Sequence, residues 1–150
     1  ALHNSAETFP QPKCHPETRT KLLNNLHNWV IDPNSHHSIH WLHGPAGAGK
    51  SAVMQTLCCQ LQDRGLLGGS FFFRRGHSTC GNAKMLFATL AYQLALHRPA
   101  FKGPISRSVE TDLSVLGRSM DIQLYNLILE PCKLAHVTSP SALLIDGLDD

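Results

Sequence analysis

Apolar residues recur first at helical spacing: Leu22, Leu23, Leu26, Trp29 and Val30 share a face, Pro16 suits a first turn, and Asp32 and Pro33 end the pattern. The stretch SIHWLH (38–43) then reads as a short strand running into HGPAGAGKS (43–51), three glycines and two alanines against one lysine and one serine. Helical spacing returns in KSAVMQTLCCQLQDRG (50–65), with Gly65 as its stop. GGSFFFRRG (68–76) is a second strand, whose three successive phenylalanines suit burial on both faces. Asn82 can cap a helix over 83–97, where Met85, Leu86, Leu90, Tyr92, Leu94 and Leu96 supply apolar surface until Pro99 breaks it. A loop of Pro, Gly and Ser follows, with a short helix near 105–112, then a helix over 119–130 that ends by Pro131. The apolar start of SALLIDGLDD (141–150) is a last strand ending in acids. Residues 1–15 read as an extended arm and lead-in, and 16–150 as one α/β domain without an internal repeat.

With 150 residues, 42% of them hydrophobic and 16% charged, the chain can bury a core and is neither disordered nor fibrous. A formal charge of +2 without any run of Lys or Arg makes nucleic acid an unlooked-for partner. Cys14, Cys58, Cys59, Cys80 and Cys132 are odd in number and form no CxxC pair, as expected of reduced thiols in an intracellular protein. No signal peptide and no membrane-length apolar run is visible, so the expected location is the cytoplasm. A chain that begins at Ala1 and stops at Asp150 within a motif is expected to be a fragment.

The chemistry lies in the glycine-rich stretch. GPAGAGKS (44–51) fits GxxxxGK[ST] between a predicted strand and a predicted helix, the context in which such a loop holds phosphate. Gly44, Pro45, Ala46, Gly47, Ala48 and Gly49 leave the backbone free to curl, so that N–H groups point inward and the helix dipole adds to them. Lys50 is placed to reach the β- and γ-phosphates, and the Ser51 hydroxyl to ligate Mg²⁺. Asp146, emerging from the apolar run 142–145, suits the second half of the magnesium site at a strand's carboxyl end. Asp149 and Asp150 stand just beyond it, either as carboxylates that orient or deprotonate an attacking water or as a solvated acidic turn.

LLIDGLDD (143–150), with a small residue after Asp146 and an acidic pair beyond, resembles the Walker B signature of NACHT domains in the STAND class of signalling NTPases. HGPAGAGKS, GSFFFRRG, LFATLAYQLA (86–95) and PKCHPETR (12–19) extend the likeness to nephrocystin-3-like NACHT modules of fungal NLR-like proteins. The resemblance implies a P-loop NTPase fold, a three-layer α/β/α sandwich with a mostly parallel sheet, here only its N-terminal half. Its strand order would be five-one-four-three-two, so the strand before the loop would lack both neighbours in this chain. ATP or GTP with Mg²⁺ is the implied ligand. Lys50, Ser51 and Asp146 match the family's phosphate, magnesium and Walker B positions, and Asp149 its second acid; Asp150 stands where the family usually has Glu. His15, Pro16, Thr18 and Arg19 match the stretch that encloses base and sugar. The implied role is a nucleotide-controlled switch with slow hydrolysis, self-oligomerisation, and effector and repeat domains in a longer protein.

Two other readings fit the loop alone: a small-molecule kinase or metabolic NTPase, and a remnant that binds nothing. Arg74 and Arg75 can approach a nucleotide or simply end a strand. His36, His37, His40 and His43 straddle a turn and a strand without Cys or carboxylate partners at a metal spacing, so zinc is not expected. Tyr92, Phe87 and Phe71 to Phe73 are expected to be core rather than a base-stacking platform.

Overall fold

The computed structural model describes residues 15, 19–74, 76 and 82–148. Helix α1 (Thr20–Ile31) buries only Leu23 and Leu26. Their spacing of three places them on one face. Helix α2 (Lys50–Asp63) starts at Gly49, whose φ of 80° is the left-handed conformation that glycine adopts without steric cost. It ends in a paired turn: the Gly65 N–H donates to the Gln62 carbonyl at 3.0 Å and the Leu66 N–H to the Leu61 carbonyl at 2.8 Å, with Gly65 at φ 67°. The predicted glycine stop therefore reverses the chain at once into strand β1 (Leu67–Phe72).

A 3₁₀ turn (Ala83–Met85) leads into α3 (Leu86–His97), and the Asn82 side chain caps it by accepting from the Lys84 N–H at 3.0 Å. Helix α4 (Pro99–Thr111) follows, then a 3₁₀ turn (Leu113–Gly117). Helix α5 (Met120–Leu124) continues through a π turn (Tyr125–Leu129) into α6 (Glu130–Leu134), and strand β2 (Ala142–Asp146) comes last. The fold is thus mixed α/β, with β1 and β2 forming a two-stranded parallel sheet among the described residues. Phe71 lies opposite Ile145 and Phe72 opposite Asp146, and an irregularity between Leu67 and Gly69 shifts the register.

The sheet separates two apolar clusters. On one face Leu67, Phe72 and Leu144 meet Leu23, Leu26, Val53, Leu57, Cys58 and Leu61 from α1 and α2. On the other, Phe71 meets Leu86, Leu90 and Leu94 of α3, with Phe101, Ile105, Val115, Leu127 and Ile128 behind them. Successive phenylalanines thus serve opposite faces, and Phe73 returns to the Phe71 side, where the two rings stand edge to face at 4.9 Å. Gly69 lets α3 come close: a Cβ there would lie 3.3 Å from both Gln93 Cβ and Leu90 Cδ2. Gln93, fully buried, uses that proximity to accept from the Ser70 N–H at 2.9 Å and donate to the Ser70 carbonyl at 2.8 Å. Backbone groups of successive residues point to opposite edges of a strand, and the Phe73 N–H points to β2, where it donates to the Asp146 carbonyl. The Ser70 groups face the other way, so one side chain closes the outer edge of β1.

Several expectations need correction. Residues 38–43 are not a strand: Ile39 is 83% and Trp41 64% exposed, and alternation without a neighbouring strand has no face to bury. The segment instead lies along the end of α1, where the Trp29 Nε1–H donates to the His37 carbonyl at 3.1 Å and its ring sits 5.2 Å from His40. The second strand stops at Phe72, opposite the last residue of β2, rather than at 76. The loop after Pro99 is a full helix, because Pro99 occupies its first turn, where no N–H is needed, and burial of Phe101 and Ile105 offsets the bond lost at Pro104. Pro131 does not end the preceding helix either. The π turn, in which the Glu130 N–H reaches the Tyr125 carbonyl five residues back, widens the helix just before the proline ring and carries it on to Leu134. Tyr92, expected in the core, is 64% exposed, since α3 turns Leu90, Ala91, Gln93 and Leu94 inward.

Candidate functional site

The stretch from Gly44 to Ser51 forms a tight loop held from within. The Ala48 N–H donates to the Pro45 carbonyl at 3.2 Å, and Gly47 and Gly49 take φ angles of 75° and 80°. The Lys50 ammonium folds back and donates to the carbonyls of Gly44 at 2.8 Å and Pro45 at 3.1 Å. With those carbonyls drawn onto the lysine, the rest of the loop can turn N–H groups toward one centre. Helix α2 begins there with no side-chain cap, so the N–H groups of Lys50, Ser51 and Ala52 have no acceptor within the helix. Gly44 to Gly47 and Ser51 are exposed, while Ala48, Gly49 and Lys50 are half-buried. Such a site suits an anion with several oxygens.

Asp146 is brought to the same end of the sheet by element lengths. At about 1.5 Å per residue α2 spans about 20 Å, and at about 3.3 Å per residue β1 retraces nearly all of it. Because β1 and β2 run parallel, their carboxyl ends, Phe72 and Asp146, return toward the start of α2. Asp146 is half-buried, and Gly147, at φ 75°, turns the chain immediately after it. Beneath them lies Cys58 of α2. Burial pushes its thiol up to about 12; a hydrogen bond with Ser70 opposes this, and the neighbouring Cys59 and Asp146 add to it. This thiol stays protonated at neutral pH.

Arg19 is brought against the glycine loop by the fold. It is the non-glycine residue with positive φ among those described, 58°, and its carbonyl starts α1 by accepting from the Leu23 N–H at 3.0 Å. Its guanidinium crosses to the glycine loop, donates to the Ala48 carbonyl, and lies against Gly49, where a Cβ would stand 3.5 Å from Nη2. The two residues are 29 positions apart, so no local pattern could have indicated the contact. His15 is exposed. Pro16, Thr18, Arg75, Asp149 and Asp150 lie outside the described residues, and Arg74 is half-buried just past β1. The structure therefore gathers the glycine loop, Lys50, Ser51 and Arg19, and sets Asp146 at the same sheet end. Among the described residues no group of three or more His, Cys, Asp or Glu is arranged to hold a metal ion, and no helix is long and apolar enough to cross a membrane.

Against known proteins, the chain matches no curated protein and no solved structure at a significant level. The family model described as nephrocystin 3, N-terminal, matches residues 17–150, which takes in the glycine loop, both strands and every helix described above. The chain belongs to the nephrocystin-3 N-terminal family.

Proposed function

We infer that this chain is the nucleotide-binding part of a NACHT-type P-loop NTPase in the STAND class, binding ATP or GTP and acting in a longer cytoplasmic protein as an oligomerisation and signalling switch. The observation that carries the reading is the glycine loop closed on Lys50 at the uncapped start of α2. Such a loop offers backbone N–H groups, a helix dipole and an ammonium to a polyphosphate, and its small residues leave the oxygens unobstructed. A second support is the closed edge of β1: the expected strand order puts that strand outermost, and Gln93 takes the place of a further neighbour.

Magnesium fits the donors present. The Ser51 hydroxyl and the Asp146 carboxylate are hard oxygen ligands, and Mg²⁺ characteristically takes one or two such groups with phosphate and water completing its shell. When bound it would neutralise charge on the β- and γ-phosphates. Lys50 exchanges loop carbonyls for phosphate oxygens, and Asp149, with Asp150, is assigned the orientation of water. Hydrolysis is slow and serves as reset. Binding of nucleotide favours the oligomerising state because γ-phosphate contacts differ between conformations.

Equilibrium binding of a fluorescent ATP analogue, with and without Mg²⁺, tests this on wild type and Lys50→Ala, each first verified as folded by circular dichroism. Saturable binding that Mg²⁺ strengthens and Lys50→Ala weakens at least about tenfold is expected, one charge-assisted contact being worth that much. A folded wild type that binds neither ATP nor GTP overturns the reading.

A further inference from the structure

We propose that Arg19 is a positioning residue of the phosphate-binding loop, setting the Gly49 N–H toward the anion by holding the Ala48 carbonyl away from it. The inference rests on the nucleotide reading above and concerns how the loop is kept in its binding shape. Ala48 C=O and Gly49 N–H belong to one trans peptide and so point in opposite directions. The guanidinium takes the carbonyl on one side of that peptide, and the N–H is thereby turned to the other. Glycine at 49 is part of the device. With no Cβ in the way, the guanidinium lies against the backbone, its three nearest atoms 3.5 to 4.0 Å from where a Cβ would stand.

A second observation supports the arrangement independently. Arg19 holds a left-handed backbone, φ 58° and ψ 20°, which a non-glycine residue adopts at a cost. At the start of α1 a glycine would take this conformation freely, and no side-chain capping bond compensates for the arginine. The side chain's contact with the loop supplies the reason for an arginine there. It also ties the first turn of α1 to the loop.

This role differs from enclosing the base and sugar, and the two are separable. A residue that touches the base affects ATP but not tripolyphosphate, whereas one that shapes the loop affects both alike. The experiment compares wild type, Arg19→Gly, Arg19→Lys and Lys50→Ala for binding of Mg²⁺-ATP and of tripolyphosphate, the latter by displacement of the fluorescent analogue, with urea unfolding in parallel. Arg19→Gly removes the guanidinium and relieves the backbone, so its urea midpoint should equal or exceed that of wild type. Its affinity should fall about tenfold for both ligands, the size of one charge-assisted hydrogen bond. Arg19→Lys, which can still donate to the Ala48 carbonyl, should recover part of the loss. Unchanged affinity in Arg19→Gly overturns the proposal, as does a loss confined to ATP, which would place Arg19 at the base. Binding lost together with a lowered urea midpoint also overturns it, since the role would then be structural. A folded wild type that binds neither ligand, like Lys50→Ala, brings down the nucleotide reading itself and this inference with it.

Discussion

Replacing Gln93 with methionine keeps the length and volume of the side chain but removes both hydrogen bonds to Ser70, so it measures what closing the edge of β1 contributes. Gln93 and Ser70 are each 0% exposed, and no water can take over without the helix moving off the strand. Leaving a buried backbone N–H and a buried C=O unpaired costs about 1–3 kcal/mol each, or about 4 kcal/mol for the pair at mid-range. Methionine fills the same space, which keeps the cavity contribution small. Against a typical domain stability of about 5–15 kcal/mol the loss is large. With an m-value of about 2 kcal/mol/M, the urea midpoint should fall by about 2 M. Far-ultraviolet circular dichroism and tryptophan fluorescence should report the same transition. A midpoint within about 0.5 M of wild type, at unchanged m, would refute the reasoning, because Ser70 would then have found other partners.

Other substitutions probe different parts of the molecule. Gly69→Ala puts a Cβ 3.3 Å from Gln93 and Leu90 and 3.4 Å from Leu143, so α3 must shift slightly; a loss of about 1–2 kcal/mol in urea unfolding is expected, and a stabilised variant would contradict the close approach. Leu61→Ala, at a position 0% exposed between α2 and the sheet, should cost about 2–5 kcal/mol, measured by thermal or urea unfolding. Cys58 gives a pH dependence. Its folded pKa, about 12, lies above the ordinary thiol value of 9.0, so its contribution is complete below pH 9 and lost as the pH rises toward 12. Above pH 9 the unfolded chain releases this proton first, and stability should fall by up to about 1.4 kcal/mol per pH unit from this group. Cys58→Ala should flatten that slope in urea titrations, and equal slopes for the two proteins would show that the thiol is not shielded.

The parts of the fold legible in the sequence are those whose signals are local. Gly65 ends α2 because a left-handed residue is needed there, Asn82 caps the turn before α3, and FFF marks a strand covered on both sides. The glycine loop and its lysine were legible for the same reason, since GPAGAGKS carries its geometry within eight positions. What sequence did not reveal depends on distant partners. SIHWLH alternates like a strand, but a strand exists only where another pairs with it. The stretch after Pro99 looked like a loop and Pro131 like a stop because helix propensity is local, whereas the burial of Phe101, Ile105 and Leu127 that overrides it is not. The contact of Arg19 with Ala48 spans 29 positions, and only the fold brings its guanidinium there.

The two apolar clusters are divided by a sheet that is two strands wide among the described residues, and they are unequal. The face bearing α3 to α6 has the larger apolar set, whereas α1 contributes two buried residues, Leu23 and Leu26, with Leu22 and Val30 half-buried beside them. Opening of α1 therefore exposes little apolar surface and leaves the larger cluster whole, so its amides should exchange with solvent sooner than those of α3 and β1. The glycine loop leans on α1 through Arg19, so the loop should exchange with that faster layer. An anion that gripped the loop would slow exchange beyond the residues it touches, extending protection into α1.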